Sequence, residues 1–168
     1  MKKLFLPLVI LFVSFSSFAQ TKVGTVDSDL VLASLPELIK VQQDLEAYGA
    51  DLDKQFSDLV SKYQEKVKAY QSVETTATDA EKKTKQQDLA GLEQDIQKFR
   101  QNSQGLIQIK QNELMQPLYE KVGKALDEVA KAQNYSQVLT LNSGVGYFDP
   151  TYDLTQAVAD KLGVPLKQ

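Results

Sequence analysis

The sequence predicts a mainly α-helical fold: a long antiparallel helical hairpin (a coiled-coil arm) on a small β-rich oligomerisation base with a short C-terminal helix. Between Pro36 and Asn134, about a hundred residues contain one interior proline, and their apolar residues recur every three or four positions, as on one helix face. The pattern breaks at 72–79, where we expect the chain to reverse. Two β-like segments, 22–27 and 135–141, flank the run and predict the base.

The first nineteen residues have the pattern of a secretory signal peptide. Lys2 and Lys3 precede an apolar stretch of roughly ten residues, and Ser17 and Ala19 occupy the small positions before a cleavage site. The alternative is an N-terminal membrane anchor, but the stretch is shorter than the ~20 residues that span a bilayer. We expect export and cleavage after Ala19, which is compatible with a bacterial periplasm or a secreted protein.

The composition of the mature chain, residues 20–168, disfavours several classes of function. Removing two lysines from the 19 basic residues leaves 17 against 22 acidic ones, so nucleic acid is an unfavourable partner. The chain has no Cys and no His, which excludes the usual zinc and copper sites and thiol or Ser–His catalysis. Asp27, Asp149 and Asp153 lack a nucleophile or metal partner, and Asp149–Pro150 and Asp153 are expected to fix turns and a helix start. We therefore predict no catalytic site, no metal and no cofactor.

The outgoing helix follows a strand at Val23–Val26 and one or two helical turns at 28–33. Ser34 and Glu37 predict a capping box, with Pro36 in the first turn. The apolar residues that follow share one helix face: Leu38, Val41, Leu45, Tyr48, Leu52, Phe56, Leu59, Tyr63, Val67 and Tyr70. Their spacing loosens from a heptad toward an eleven-residue repeat, so the supercoil should relax toward the tip.

The return helix is predicted to begin at a second capping box, formed by Thr78 and Glu81. Its apolar stripe weakens from Asn102 to Asn112, and Gly105 costs about 1 kcal/mol relative to Ala in a helix. Pro117 removes a backbone hydrogen bond and is expected to kink the helix. We predict that the arm bends here, with the fastest hydrogen exchange around 102–117 and at the tip.

The helical run is predicted to end at Gln133–Asn134, before the second strand. A turn at 142–144 leads to a third predicted strand, Val145–Phe148, which Asp149–Pro150 stops. A short helix at Thr155–Leu162 then ends at Gly163. The domain division is thus a base of residues 20–35 and 135–168 and an arm of residues 36–134.

A three-stranded sheet and one hairpin bury little apolar surface, and the sheet has exposed edges that natural proteins pair or cover. We therefore favour oligomerisation through the base. The alternative is a monomer whose terminal helix covers the sheet.

The apolar stripe of the arm has two interpretations. Its aromatic side chains pack in the seam between the helices, or some of them, with nearby aliphatic residues, face a cavity between arms and bind an unfolded chain. The candidates for such contacts are Phe56, Tyr63, Tyr70, Phe99, Leu106, Ile107 and Met115. Lys82, Lys83 and Lys85 near the tip are at most a weak contact for anionic lipid, because acidic residues surround them.

Several segments closely resemble the Skp/OmpH family of periplasmic chaperones over essentially the whole mature chain. They are Lys22–Ser28, Leu114–Val122, Val129–Tyr135, Val138–Leu139, Tyr147–Pro150 and Asp153–Val158. The resemblance implies a homotrimer in the periplasm whose arms enclose a cavity that holds unfolded outer-membrane β-barrel proteins without ATP. It implies no catalytic residues. The base residues carried over as assembly core are Val23, Val26, Val138, Leu139, Tyr147 and Phe148.

The chain departs from the family in its charge, because well-known members are strongly basic and this mature chain is acidic. Charge steering toward anionic lipid or lipopolysaccharide is therefore expected to be weaker. A rival from another functional class is a periplasmic coiled-coil spacer or adaptor that bridges envelope components. It predicts one folded partner rather than many unfolded ones.

Overall fold

The computed structural model describes residues 21–142 and 144–166. The predicted signal peptide lies outside these residues. Within them, the elements follow one another as strand β1 (Val23–Val26), helix α1 (Ser28–Ser34), helix α2 (Glu37–Val73), helix α3 (Asp79–Ala132), strand β2 (Gln137–Thr140), a 3-10 turn (Pro150–Tyr152) and helix α4 (Thr155–Leu162). The fold is the predicted one, a long helical hairpin on a small base with a short C-terminal helix.

The two strands of the base pair in parallel, with Gly24 opposite Val138 and Thr25 opposite Leu139. Parallel strands need a long crossover connection, and here the whole hairpin is that crossover. On the other side of β1, Thr25 forms a single parallel bridge with Asp153, and its carbonyl accepts a 2.8 Å hydrogen bond from the Leu154 N–H. β1 therefore lies between β2 and the segment that precedes α4.

The predicted third strand at Val145–Phe148 is wrong, since this segment forms no ladder in the described residues. The place beside β1 is taken by the chain around Asp153 instead. Asp149 begins a 3-10 turn there, because its carboxylate accepts a 2.9 Å hydrogen bond from the Thr151 N–H. This turn brings Leu154 under the sheet, where it is 1% exposed.

The core of the molecule lies in the base. The largest fully buried side chains are Leu35, Leu154, Val26, Val31 and Val158. Each such side chain stabilises the fold by about 1.5–3 kcal/mol relative to an exposed one. The packing against β1 is close enough to require a glycine: a Cβ on Gly24 would lie 2.5 Å from Leu154 Cδ1 and 2.7 Å from Tyr135 Cε1.

The start of α2 differs from the prediction. Its N-cap is Pro36, which makes no side-chain cap hydrogen bond, so the capping box expected from Ser34 and Glu37 is wrong. Ser34 is instead the last residue of α1, where its hydroxyl donates a 2.8 Å hydrogen bond to the Leu30 carbonyl. The Glu37 carboxylate pairs across the hairpin with Lys121.

The other helix boundaries follow the predicted signals. At the start of α3 the Thr78 N–H donates to Glu81 Oε2 at 2.8 Å, and the Glu81 N–H donates to Thr78 Oγ1 at 3.4 Å, which confirms this capping box. Asn134, just after α3, has a φ of 57°, a conformation that Asn tolerates better than most residues. Gly163, with a φ of 71°, ends α4 as predicted.

The arm consists of α2, with 37 residues, and most of α3, with 54. α2 is therefore about 55 Å long. α3 continues as one helix through Gly105 and Pro117. Beyond the level of Glu37 and Lys121 it continues into the base, where Val122, Ala125 and Val129 join the core. Among the described residues, no helix is both long and apolar enough to cross a membrane.

Candidate binding arm and assembly surface

The predicted aromatic residues of the arm lie in the seam between α2 and α3. The Phe56 and Phe99 rings stack with their centroids 6.1 Å apart and an interplanar angle of 29°. The Tyr63 hydroxyl donates to the Glu93 carboxylate, and the Tyr70 hydroxyl accepts a 2.9 Å hydrogen bond from Gln86 Nε2. All four aromatic rings are half-buried. The hairpin alone thus covers only part of each ring.

The three remaining candidates have different environments. Met115 is half-buried and packs against the base core, and Ile107 is half-buried in the seam. Leu106, the residue just before Ile107 on α3, is 37% exposed. Binding of an unfolded chain by any of the seven residues stays a prediction.

Exposed apolar residues outside the predicted stripe were missed by sequence reasoning. Ile39 is 55% exposed, Ile109 is 65% exposed and Tyr119 is 56% exposed. The Glu37–Lys121 ion pair shows which residues of α2 and α3 lie side by side along the hairpin. Ile39 and Tyr119 are each two residues from this ion pair, toward the tip, so they lie at the same height on the arm. Two residues turn a helix by about 200°, so both side chains lie on the side of the hairpin away from that ion pair. Only the register between the helices reveals that these two exposed residues lie at one level of the arm.

A half-open cavity of about 220 Å³ interrupts the seam beside the stacked phenylalanine rings. We call it the seam notch. Its residues come from both helices of the arm: Gly49, Leu52, Asp53, Phe56, Phe99, Arg100, Ser103 and Ile107. Gly49 leaves the space open, because an ideal Cβ at this position meets no atom within 4 Å.

Several carboxylates and one tyrosine of the molecule have shifted pKa values because of specific hydrogen bonds. The bond from Lys121 lowers the pKa of Glu37, and the backbone N–H of Thr78 lowers that of Glu81. The Thr151 N–H lowers the pKa of Asp149. Hydrogen bonding to Glu93 raises the pKa of the Tyr63 hydroxyl, since the bond holds its proton. The three carboxylates are exposed, and all four groups act as helix caps or cross-hairpin links.

The three lysines near the tip do not form a separate basic surface. Lys83 is exposed and Lys82 and Lys85 are half-buried on the first turns of α3. The charge of Lys85 contributes to lowering the pKa of Glu81, so an acidic group lies within its field. Lipid contact at this site stays a prediction.

The base carries a second exposed apolar surface, which we call the base patch. Val23 is 39% exposed and Leu139 is 46% exposed, and both point away from the core because Gly24, next to Val23, and Val138, next to Leu139, face it. The other members lie in the chain after β2, namely Tyr147 (85%), Phe148 (37%) and Tyr152 (46%).

The remaining two residues predicted for assembly lie on the inner face of the sheet. Val26 is 1% exposed in the core of its own chain, and Val138 is half-buried against that core. In the described part of the chain, β2 has a strand partner on one side only. The base patch and this edge are left uncovered by the described part of the single chain, and assembly through them stays a prediction.

The carboxylates of the base have structural roles, as expected. Asp27 Oδ1 accepts from the Leu30 N–H at 2.8 Å and caps α1. Asp153 Oδ1 accepts from the backbone and hydroxyl of Thr155 at 3.0 and 2.6 Å. Among the described residues, no three His, Cys, Asp or Glu side chains are grouped so that they could hold a metal ion.

Comparisons with known proteins agree with this architecture. Residues 22–162 match the family model described as outer membrane protein (OmpH-like). A crystal structure from Caulobacter crescentus, described as a candidate outer membrane chaperone (OmpH-like), superimposes with a TM-score of 0.66 at 19% sequence identity. The match covers 86% of this chain and 85% of that one. A search of curated proteins finds no significant match.

Proposed function

The chain belongs to the OmpH-like outer membrane protein family, and we propose that it is an ATP-independent holdase chaperone of the periplasm. In this role it binds unfolded outer-membrane β-barrel proteins between its helical arms. It prevents their aggregation before they insert into the membrane. It carries out no enzymatic reaction and requires no cofactor.

The observation that carries this proposal is the incomplete burial of the arm. The core residues of the base are at most 8% exposed, whereas the aromatic rings of the distal seam are only half-buried. Ile39, Leu106, Ile109 and Tyr119 add exposed apolar surface along the same arm. Such dispersed, adaptable contacts suit an unfolded chain better than a single folded partner.

The proposed assembly is a homotrimer formed through the base patch. Val23, Leu139, Tyr147, Phe148 and Tyr152 would be covered by neighbouring subunits, and three arms would then surround one cavity. Residues 20–35 and 135–168 form the base in this division, and residues 36–134 form the arm. Export to the periplasm would depend on the signal peptide of residues 1–19.

The direct test is suppression of aggregation by the purified mature protein. An outer-membrane β-barrel protein diluted from urea should stay soluble when the chaperone is present at a near-stoichiometric ratio of trimer to client. Light scattering of the chaperone alone should give the mass of three subunits. A stable trimer that leaves aggregation unchanged would exclude the holdase function.

The matched assembly variants are Leu139→Asp, in the base patch, and Ile39→Asp, at a similarly exposed position on the arm. Leu139→Asp should reduce the mass in solution, because it places a charge in the proposed interface. Ile39→Asp should leave the mass unchanged. The opposite pattern would place the interface on the arm.

Photocrosslinking from Phe56 and Leu106 separates the chaperone from the spacer or adaptor. Many heterogeneous clients would support the chaperone. One folded partner, crosslinked at a fixed position, would support the spacer.

A further inference from the structure

The seam notch is a half-open cavity of the arm with an apolar floor, whereas a second half-open cavity nearer the tip, around Lys62, Gly91 and Asp95, is lined mostly by polar residues. Gly49 follows Tyr48, the stripe residue of its turn, and contributes no side chain to the notch that it lines. Tyr48, one residue before it, has its ring 6.0 Å from Lys110 Nζ on α3. Phe56, two turns further on, stacks on Phe99. The seam therefore continues on both sides of the notch, and Gly49 leaves the space above the floor of the notch open.

The size and walls of the notch fit one aromatic ring. Its floor is apolar, since Leu52 is 5% exposed and Phe56, Phe99 and Ile107 are half-buried beside it. A protein cavity of about 150 Å³ lined by Leu, Ile and Phe binds benzene, and the notch holds about 220 Å³. A ring that enters it meets an existing stacked pair, which favours further aromatic contact.

The notch carries one exposed donor group, one exposed acceptor group and Ser103, whose hydroxyl donates a 2.6 Å hydrogen bond to the Phe99 carbonyl. The donor is Arg100, the single arginine of the chain, whose guanidinium carbon lies 5.8 Å from the centroid of the Phe56 ring. Within residues 21–142 and 144–166, Arg100 forms no ion pair. Asp53 lies on the rim from α2 and is exposed. The free N–H and C=O groups of an extended polypeptide match this donor and acceptor.

We propose that the seam notch binds an aromatic side chain of an extended, unfolded polypeptide, whose backbone C=O and N–H groups hydrogen-bond to Arg100 and Asp53. The proposal rests on the holdase function and names the chemistry that one subsite of the arm recognises. Strands of outer-membrane β-barrels alternate apolar and polar residues and carry aromatic girdles. Such a chain presents rings on one side while its backbone remains available to the rim.

The first experiment observes Arg100 itself. Because the chain has one arginine, the mature protein gives one Nε–H signal in a ¹⁵N NMR spectrum, also in a symmetric oligomer. A capped hexapeptide of alternating Thr and Tyr should shift this signal in a saturable way, and the Thr–Ala analogue should not. No shift with the Tyr peptide, or an equal shift with both peptides, would overturn the proposal.

The matched variants are Gly49→Leu and Gly91→Leu. Both positions lie within helices and have no atom within 4 Å of an ideal Cβ, so both variants should fold and gain helix propensity. Only Gly49→Leu fills the seam notch. It should abolish the peptide-induced shift of Arg100, whereas Gly91→Leu should retain it. Retention of the shift in Gly49→Leu would place the peptide elsewhere.

The same variants separate this proposal from the holdase function. Gly49→Leu should weaken binding of a urea-unfolded outer-membrane β-barrel protein about 3–10-fold, and Gly91→Leu should change it less than twofold. Unchanged binding by Gly49→Leu, with the wild type active, would overturn the notch as a client subsite. If the wild type binds the Tyr peptide but no unfolded client, the holdase function fails and the ring-binding site remains.

Discussion

The base and the arm are built from similar apolar residues but bury them to different extents. In the base, Leu35, Val31 and Val158 are fully buried among side chains from four helices and a sheet. In the distal arm, each ring of the seam has one facing helix and remains half-buried. Burial of apolar area determines local stability, so the base should hold the fold while the arm opens at lower cost. This division suits a molecule that must stay assembled while its binding surface adapts.

The largest expected effect tests the base. Leu154→Ala removes a side chain that is 1% exposed and lies within 2.5 Å of an ideal Cβ at Gly24. We expect a loss of about 2–5 kcal/mol in the free energy of unfolding, because the surrounding core can only partly collapse into the cavity. Urea denaturation, followed by circular dichroism at one fixed protein concentration, measures it.

The matched arm variant is Leu92→Ala, which shortens a half-buried leucine in the distal seam. It should cost clearly less than Leu154→Ala, since less apolar area is lost from a partly solvated site. Equal costs for the two variants would mean that the arm is as well packed as the base, for instance because another subunit covers it.

The hairpin could be predicted from the sequence because its signals are local. A regular apolar spacing from Leu38 to Tyr70 determines the helix face, and Thr78 with Glu81 determines where the return helix begins. The third strand could not be predicted correctly, because strand pairing is decided by distant residues. Val145–Phe148 has strand-forming residues, but the chain around Asp153 occupies the position beside β1.

The candidate site, like the fold, could be predicted only where its signals are local in the sequence. The aromatic stripe follows from periodicity, whereas half-burial in the seam depends on how completely one helix covers the other. The common level of Ile39 and Tyr119 on the arm and the cavity beside Gly49 depend on the register between two helices. Neither helix alone carries that information. The conformation of Pro36, which makes it the N-cap in place of Ser34, depends on how α1 and α2 pack around the buried Leu35.

An effect of intermediate size is expected within α3, where the arm and base segments of one helix should exchange their amide hydrogens at different rates. Amide exchange from Asn102 to Asn112 should be at least about tenfold faster than from Leu118 to Val129, because opening free energy follows local burial. The slow segment contributes Leu118, Val122 and Val129 to the core, and the fast one contains Leu106 and Ile109, which are exposed. Hydrogen–deuterium exchange with mass spectrometry measures both segments in one sample. Uniform protection along α3 would contradict the conclusion that the arm is locally less stable than the base.

The smallest expected effect concerns the ion pair at the junction of arm and base. The hydrogen bond from Lys121 lowers the pKa of Glu37 in the folded protein, so the stabilisation it provides is present above the unfolded pKa of Glu37. It is lost as the pH falls through the lowered folded pKa, when the carboxylate becomes protonated. Both side chains are more than 40% exposed, and such pairs contribute no more than about 1 kcal/mol.

Glu37→Gln should therefore lower the melting temperature slightly at pH 7, and its difference from the wild type should shrink as the pH falls through the lowered folded pKa of Glu37. Lys40 and Asp44 form an ion pair within α2 alone, so Lys40→Gln is the control for a general change in surface charge. A loss at pH 7 from Glu37→Gln that exceeds the loss from Lys40→Gln would show that the link between helices stabilises the junction. A loss as large as that of Leu154→Ala would contradict the conclusion that apolar burial in the base, rather than the surface ion pair, holds the arm in place.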